Sequence, residues 1–292
     1  MDRLTENLFR QLISEPKSEH SIEVLDTNIY YQKWGESTNP GIVLVHGSGA
    51  HSHWWDFIAP LLIDQFEVSA IDLSGMGDSD NRENYSPELY GKEILAVAED
   101  SGFFNQRSSS PIVCGHSLGG YMSIHAANLS SGALKGVIMI DSPIRPPNFD
   151  YSNHRSSGPI RKKKTYPDMG SILERFKLTP DQPTTFSFVL DYIAKHSVEK
   201  VNGGYEWKFD DTLFEKLGFT TMPKHHALDL SCALGYIYGE HSRLVTEPIL
   251  DYTKSKLKKD APMIKIKGAH HHVLLDKPIE LAQSIKKIIK GW

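Results

Sequence analysis

Along the first 140 residues the apolar positions switch between short continuous runs and helical spacing. Residues 41–45 (Gly-Ile-Val-Leu-Val) are apolar throughout, the pattern of a strand buried on both faces of a parallel sheet. Residues 66–71, 112–114 and 134–140 read as further strands of this kind. Residues 54–62 and 87–98 carry apolar side chains at helical spacing. Residues 21–25 and 29–34 alternate apolar with polar, which predicts a hairpin around Asp26-Thr27-Asn28. Strand alternating with helix predicts an α/β fold with a doubly wound, mostly parallel sheet. No internal repeat is present.

The rhythm breaks at Asp141-Ser142-Pro143 and resumes with a strand at 234–238. The interval is far longer than the usual connection of about 2–6 residues. It holds periodic segments at 170–176, 185–196 and 212–217, so it is a structured insertion. A strand at 263–267 and an amphipathic helix at 278–290 close the chain. The division expected is a core of residues 1–143 and 231–292 with an insertion at 144–230.

The chemistry centres on Gly115-His116-Ser117-Leu118-Gly119, a G-x-S-x-G pattern between a predicted strand and a predicted helix. Glycines on both sides of the serine permit a turn too tight for Cβ atoms. Such a turn exposes the Ser117 hydroxyl and aims the Leu118 N–H, at a helix N-terminus, where an oxyanion would form. The competing reading of Ser117 is an ordinary helix-capping serine. A serine nucleophile needs a base, and the base needs an orienting acid. Three consecutive histidines, His270, His271 and His272, lie in the loop between the last strand and the last helix.

These residues resemble the α/β-hydrolase family. Val43-Leu44-Val45-His46-Gly47-Ser48-Gly49 is similar to its strand and oxyanion loop, and Asp72-Leu73-Ser74-Gly75-Met76-Gly77-Asp78-Ser79 to its D-x-x-G-x-G-x-S turn. Residues 268–278 are similar to its G-x-G-H…P ending. The resemblance implies His271 as base, counted back from Pro278, with His270 standing where the family has glycine. It implies an oxyanion hole from the N–H groups of Leu118 and of the Ser48–Gly49 region, braced by His46. It makes residues 144–230 a helical cap. The usual acid position falls on Ser242, which cannot serve. Asp141, at an alternative acid position, and Glu240, just off the usual slot but with a longer side chain, both remain candidates. Asp72 and Asp78 read as structural, Asp72 for turn hydrogen bonds and Asp78 as a surface charge. Trp54, His116 and Arg175 are candidate pocket residues.

The activity implied is that of a serine hydrolase acting on carboxylic esters through an acyl-enzyme. Carbon–carbon bond cleavage or lactone opening on the same triad is the alternative. Acyl transfer is a further one, and a receptor using the hydrolase shell with negligible turnover is the alternative of another class.

The net charge of −4 gives no argument for nucleic acid or an anionic membrane. Cys114 and Cys232 read as buried thiols, which suits a cytoplasmic protein. The first sixteen residues are interrupted by Asp2, Arg3, Glu6, Arg10 and Glu15, so no signal peptide is expected, and no run is long enough for a membrane span. Neither metal nor organic cofactor is expected. The His51–His53 stretch lacks the carboxylate or cysteine company of a metal motif. The basic run from Arg161 to Lys164 reads as a solvated face. The partner expected is a small-molecule ester, and the oligomeric state is not legible.

Overall fold

A computed structural model describes residues 4–105, 109–150, 162–183, 186–217 and 228–292. Eight strands form one sheet: β1 (Ser18–Glu23), β2 (Asn28–Trp34), β3 (Gly41–Val45), β4 (Glu67–Ile71), β5 (Ile112–His116), β6 (Gly136–Ile140), β9 (Ala233–Gly239) and β10 (Met263–Ile266). A separate hairpin, β7 (Val198–Val201) and β8 (Gly204–Trp207), lies between β6 and β9 in sequence. The order across the large sheet is β1-β2-β4-β3-β5-β6-β9-β10. Only the β1–β2 and β2–β4 pairings are antiparallel. The doubly wound, mostly parallel α/β sheet read from the sequence is the fold found.

The continuous apolar runs are explained by two cores. Ile42 and Leu44 of β3 face one, Val43 and Val45 the other, and β6 divides likewise between Ile138 and Ile140 and Val137 and Met139. On the first face pack α1 (Glu6–Ile13) and α9 (Pro278–Lys290), which buries Leu281, Ile285 and Ile288. On the second pack α2 (Pro87–Asp100) and α3 (Leu118–Leu129), through Tyr90, Ile94, Met122 and Ile124. Each large side chain fully buried this way contributes roughly 1.5–3 kcal/mol.

Local details differ from the sequence reading. Residues 54–62 form two 3-10 turns, Ser52–Trp55 and Ala59–Leu61, instead of an α-helix. Pro60 cannot donate the hydrogen bond that would join them. The first hairpin turns at Leu25 and Asp26, both with positive φ, one residue earlier than predicted.

Between β6 and β9 the described residues form α4 (Met169–Leu173), α5 (Ser187–His196), the β7–β8 hairpin and α6 (Leu213–Leu217). The insertion, expected to be helical, carries a β hairpin beside its helices. Tyr166 and Tyr205 extend the hairpin through an antiparallel bridge. The chain is completed by α7 (Glu247–Lys256) and α8 (Val273–Asp276). Among the described residues no helix is long and apolar enough to cross a membrane.

Candidate active site

Three loops at the carboxyl ends of parallel strands carry the candidate residues, the edge where open α/β sheets build their sites. β5 delivers Ser117, β6 delivers Asp141, and the segment after β10 delivers His271. The two 3-10 turns after β3 and the Asp72 loop after β4 flank them.

Ser117 has φ 53° and ψ −115°, a conformation that costs an L-residue of order 1–3 kcal/mol. The surroundings enforce it. Its N–H donates to Ile140 O at 2.9 Å, and Ser142 Oγ donates to its carbonyl at 2.8 Å. A Cβ at position 115 would stand 2.2 Å from Gly119 O, and one at 119 would stand 2.4 Å from Val45 O. Only glycines therefore let β5, the turn and α3 approach this closely. The Ser117 hydroxyl makes no capping bond to α3, so the helix-cap reading does not hold. It is half-buried and without a polar partner among the described residues. Leu118 opens α3, and its N–H is one of the helix's unsatisfied donors.

Asp141 also has positive φ, 47°, and is fully buried. Its N–H donates to Ile237 O at 2.8 Å, which turns the chain off β6 beside β9. Oδ2 accepts the Gly239 N–H at 2.7 Å. Oδ1 accepts from Ser242 Oγ at 2.6 Å and from His271 Nδ1 at 2.8 Å. A carboxylate that already accepts two other donors requires the proton on Nδ1, leaving Nε2 of a neutral His271 as a bare lone pair. Glu240 takes no part. It is exposed, accepts the Gly268 N–H at 3.0 Å and lies 3.4 Å from Lys265 Nζ, and the Gly268 bond holds its carboxyl below the usual range.

The other two histidines diverge. The N–H and Nδ1 of His270 both meet Asp276 Oδ2, at 2.7 and 3.0 Å. His272 points the other way, with its N–H on Gln182 Oε1 at 2.9 Å and its ring against Trp54, centroids 5.4 Å apart. His116 lies under His271, its Nε2 on His271 O at 2.9 Å. Burial pushes His116 down to about 3 and His272 well below its ordinary value, so both are neutral.

On the oxyanion side, His46 Nδ1 meets Gly47 O at 2.7 Å and its Nε2 accepts the Leu73 N–H at 3.0 Å. One ring thus locks the β3 loop to the β4 loop. Gly49 N–H points at Met76 Sδ, 3.3 Å away, so Gly49 does not offer it to a ligand in this conformation. Ser48 N–H has no partner among the described residues. Asp72 is buried and accepts the N–H groups of Ser52 and Asp78, a turn-holding role.

A profile of the alpha/beta hydrolase family matches residues 42–284. The chain belongs to the alpha/beta hydrolase family. Over 101 residues this hydrolase is 30% identical to a pimeloyl-[acyl-carrier protein] methyl ester esterase of Methylococcus capsulatus. That match covers 35% of this chain and 36% of the esterase, so the chain spans about a third of that relative's length. A (lyso)-N-acylphosphatidylethanolamine lipase of Bos taurus is 24% identical over 270 residues, covering 81% of this chain and 75% of the lipase. In solved structures the fold is similar to E-2-(acetamidomethylene)succinate hydrolase, with TM-score 0.78, 20% identity, and 94% and 100% of the two chains covered.

Two features of this alpha/beta hydrolase escape the sequence reading. Ser242, at the position where its family usually carries the acid, donates to the acid candidate at Asp141. Asp78, read as a plain surface charge, binds Lys208 Nζ at 2.6 and 2.8 Å and so joins the β4 loop to the insertion. Arg175 is a correction in the opposite sense. It is exposed at the end of α4 and makes no polar side-chain contact among the described residues, because α4 buries Ile172 instead. Within the basic run, Arg161 lies outside the described residues, and Lys163 is paired with Glu199 and Glu206. Both cysteines are free thiols, and burial pushes Cys114 up and away from reactivity.

Proposed function

We propose that this hydrolase cleaves carboxylic esters through an acyl-enzyme. Ser117 Oγ attacks the acyl carbon while His271 Nε2 takes its proton. Asp141 keeps His271 in the Nδ1–H tautomer and stabilises the imidazolium as it forms. The N–H groups of Leu118 and Ser48 receive the charge that develops on the carbonyl oxygen. His271 then returns the proton to the leaving alcohol, and water releases the acid by the same steps in reverse.

The observation that carries this reading is a strained, unpartnered Ser117 at the same end of the sheet as a buried His271 whose Nδ1 is 2.8 Å from Asp141 Oδ1. A capping serine or a solvated loop histidine needs none of that arrangement. The ester-directed relatives favour an ester over a carbon–carbon bond.

Residues 144–230 act, in this proposal, as a cap over the site. Supporting contacts all reach loops at the carboxyl end of the sheet. Ser197 Oγ meets His51 Nε2 at 2.8 Å, Tyr85 donates to Asp210 at 2.7 Å, and Gln182 accepts from His272. The test is hydrolysis of p-nitrophenyl esters of increasing chain length by the wild type and by Ser117→Ala. Turnover that survives the substitution contradicts the proposal.

A further inference from the structure

His116 stands 155 residues before the neighbouring pair His271 and His272, yet the three bring one ring nitrogen each to within 4.8 Å of one another. We propose that these three histidines form a site for a late first-row divalent cation such as Zn²⁺, and that filling it silences the enzyme. The silencing rests on the ester-hydrolase reading above; the binding does not.

Each ring is already prepared as a ligand. A metal-binding histidine characteristically gives its second ring nitrogen to a carboxylate or a backbone carbonyl, which fixes the tautomer and the ring plane. His271 Nδ1 is on the Asp141 carboxylate at 2.8 Å. His116 Nε2 is on His271 O at 2.9 Å, and His272 Nε2 is near Pro180 O at 3.3 Å. The remaining nitrogens, His116 Nδ1, His271 Nε2 and His272 Nδ1, make no hydrogen bond among the described residues. His272 Nδ1 is moreover buried with nothing to bond, which is costly for a polar atom unless something occupies the space before it.

Imidazole nitrogen suits Zn²⁺ and Cu²⁺, whereas Mg²⁺ and Ca²⁺ want oxygen. With Zn–N distances of about 2.0–2.1 Å, the rings must swing together by about 1 Å. Ser117, next to His116 in the chain, is only half-buried, whereas the three histidines are buried. A cation held on His271 Nε2 occupies the lone pair that would take the serine proton. No bond to substrate forms or breaks in this step; a metal–nitrogen bond replaces an open lone pair.

The test is titration of chelator-stripped protein with Co²⁺, read by its visible ligand-field bands, and displacement by Zn²⁺. Ser117→Ala and the wild type should each bind one Co²⁺. His116→Ala and His272→Gln, checked for a wild-type melting transition, should each lose at least about 10-fold in affinity. His20→Ala and added Mg²⁺ should change nothing. Zn²⁺ should abolish wild-type ester turnover, and EDTA should restore it. Absence of Co²⁺ bands, or affinity unchanged in whichever histidine variant folds, overturns the site. Binding with turnover intact overturns the silencing. Metal-free protein that binds Co²⁺ but hydrolyses no ester supports the site and refutes the hydrolase reading instead.

Discussion

Ser242 Oγ donates to Asp141 Oδ1 at 2.6 Å, onto the same oxygen that faces His271 Nδ1. The hydroxyl also accepts the Val245 N–H at 3.1 Å, so the turn after β9 aims it. The position usually held by the acid carries instead a hydroxyl that supports the proposed acid, Asp141, at the end of the neighbouring strand.

That relationship predicts a graded response at position 242. Ser242→Ala removes one of three side-chain or backbone donors to Asp141 and leaves the Gly239 and His271 contacts. kcat should fall by roughly 10-fold, the worth of about 1.4 kcal/mol, with KM little changed. Steady-state kinetics on a p-nitrophenyl ester checks it; unchanged kcat means the hydroxyl does not tune the acid.

The two acid candidates should separate sharply. Asp141→Asn can hydrogen-bond His271 in the wrong tautomer, so kcat should drop by on the order of 10⁴. Glu240→Gln loses only an exposed contact to Gly268 and should stay within about 2-fold. Comparable losses in the two variants would contradict the assignment.

Within the histidine run, His271→Ala should be as damaging as loss of Ser117, since the two act as a unit. His270→Ala breaks its ring contact to Asp276 but leaves the backbone N–H bond, so turnover should persist within about 10-fold. Abolished turnover in a folded His270→Ala protein would move the base by one residue.

Stability should fall on mild acidification. Burial pushes His46 down to about 4 and His51 well below its ordinary value. Both are neutral when folded and take up a proton near pH 6.5 when unfolded. The unfolded state then binds more protons, so their contribution is complete above about pH 6.5 and is lost as pH falls from there. Asp72, raised by burial to about 6, works the other way: protonated in the fold, it favours the folded state more as pH drops. With His116 and His272, which burial likewise keeps neutral, four histidines outweigh one aspartate. Urea unfolding should show a stability lower by about 2 kcal/mol or more at pH 5.5 than at pH 7.5. Equal or greater stability at pH 5.5 would contradict this balance.

The elbow at Ser117 was legible because its requirement is local: glycines at 115 and 119, an apolar strand before and a helix after. The acid was not, because two candidates separate only through contacts made across the sheet. Asp141 leaves β6 beside β9, and no spacing rule records that His271, 130 residues away, arrives there. The β7–β8 hairpin was missed since its strands are short and only partly buried, which blurs the alternation. The false helix at 54–62 kept helical spacing of its apolar residues while Pro60 interrupted the backbone. The three-histidine cluster is only half legible: His271 and His272 are neighbours in the chain, but His116 joins them from another strand end.

The central claim is that Ser117 is the nucleophile, and covalent labelling tests it most directly. A fluorophosphonate should modify the wild-type protein once, peptide mapping should place the adduct on Ser117, and Ser117→Ala should take up no label. Full labelling at another serine, or of the Ser117→Ala protein, would contradict the account.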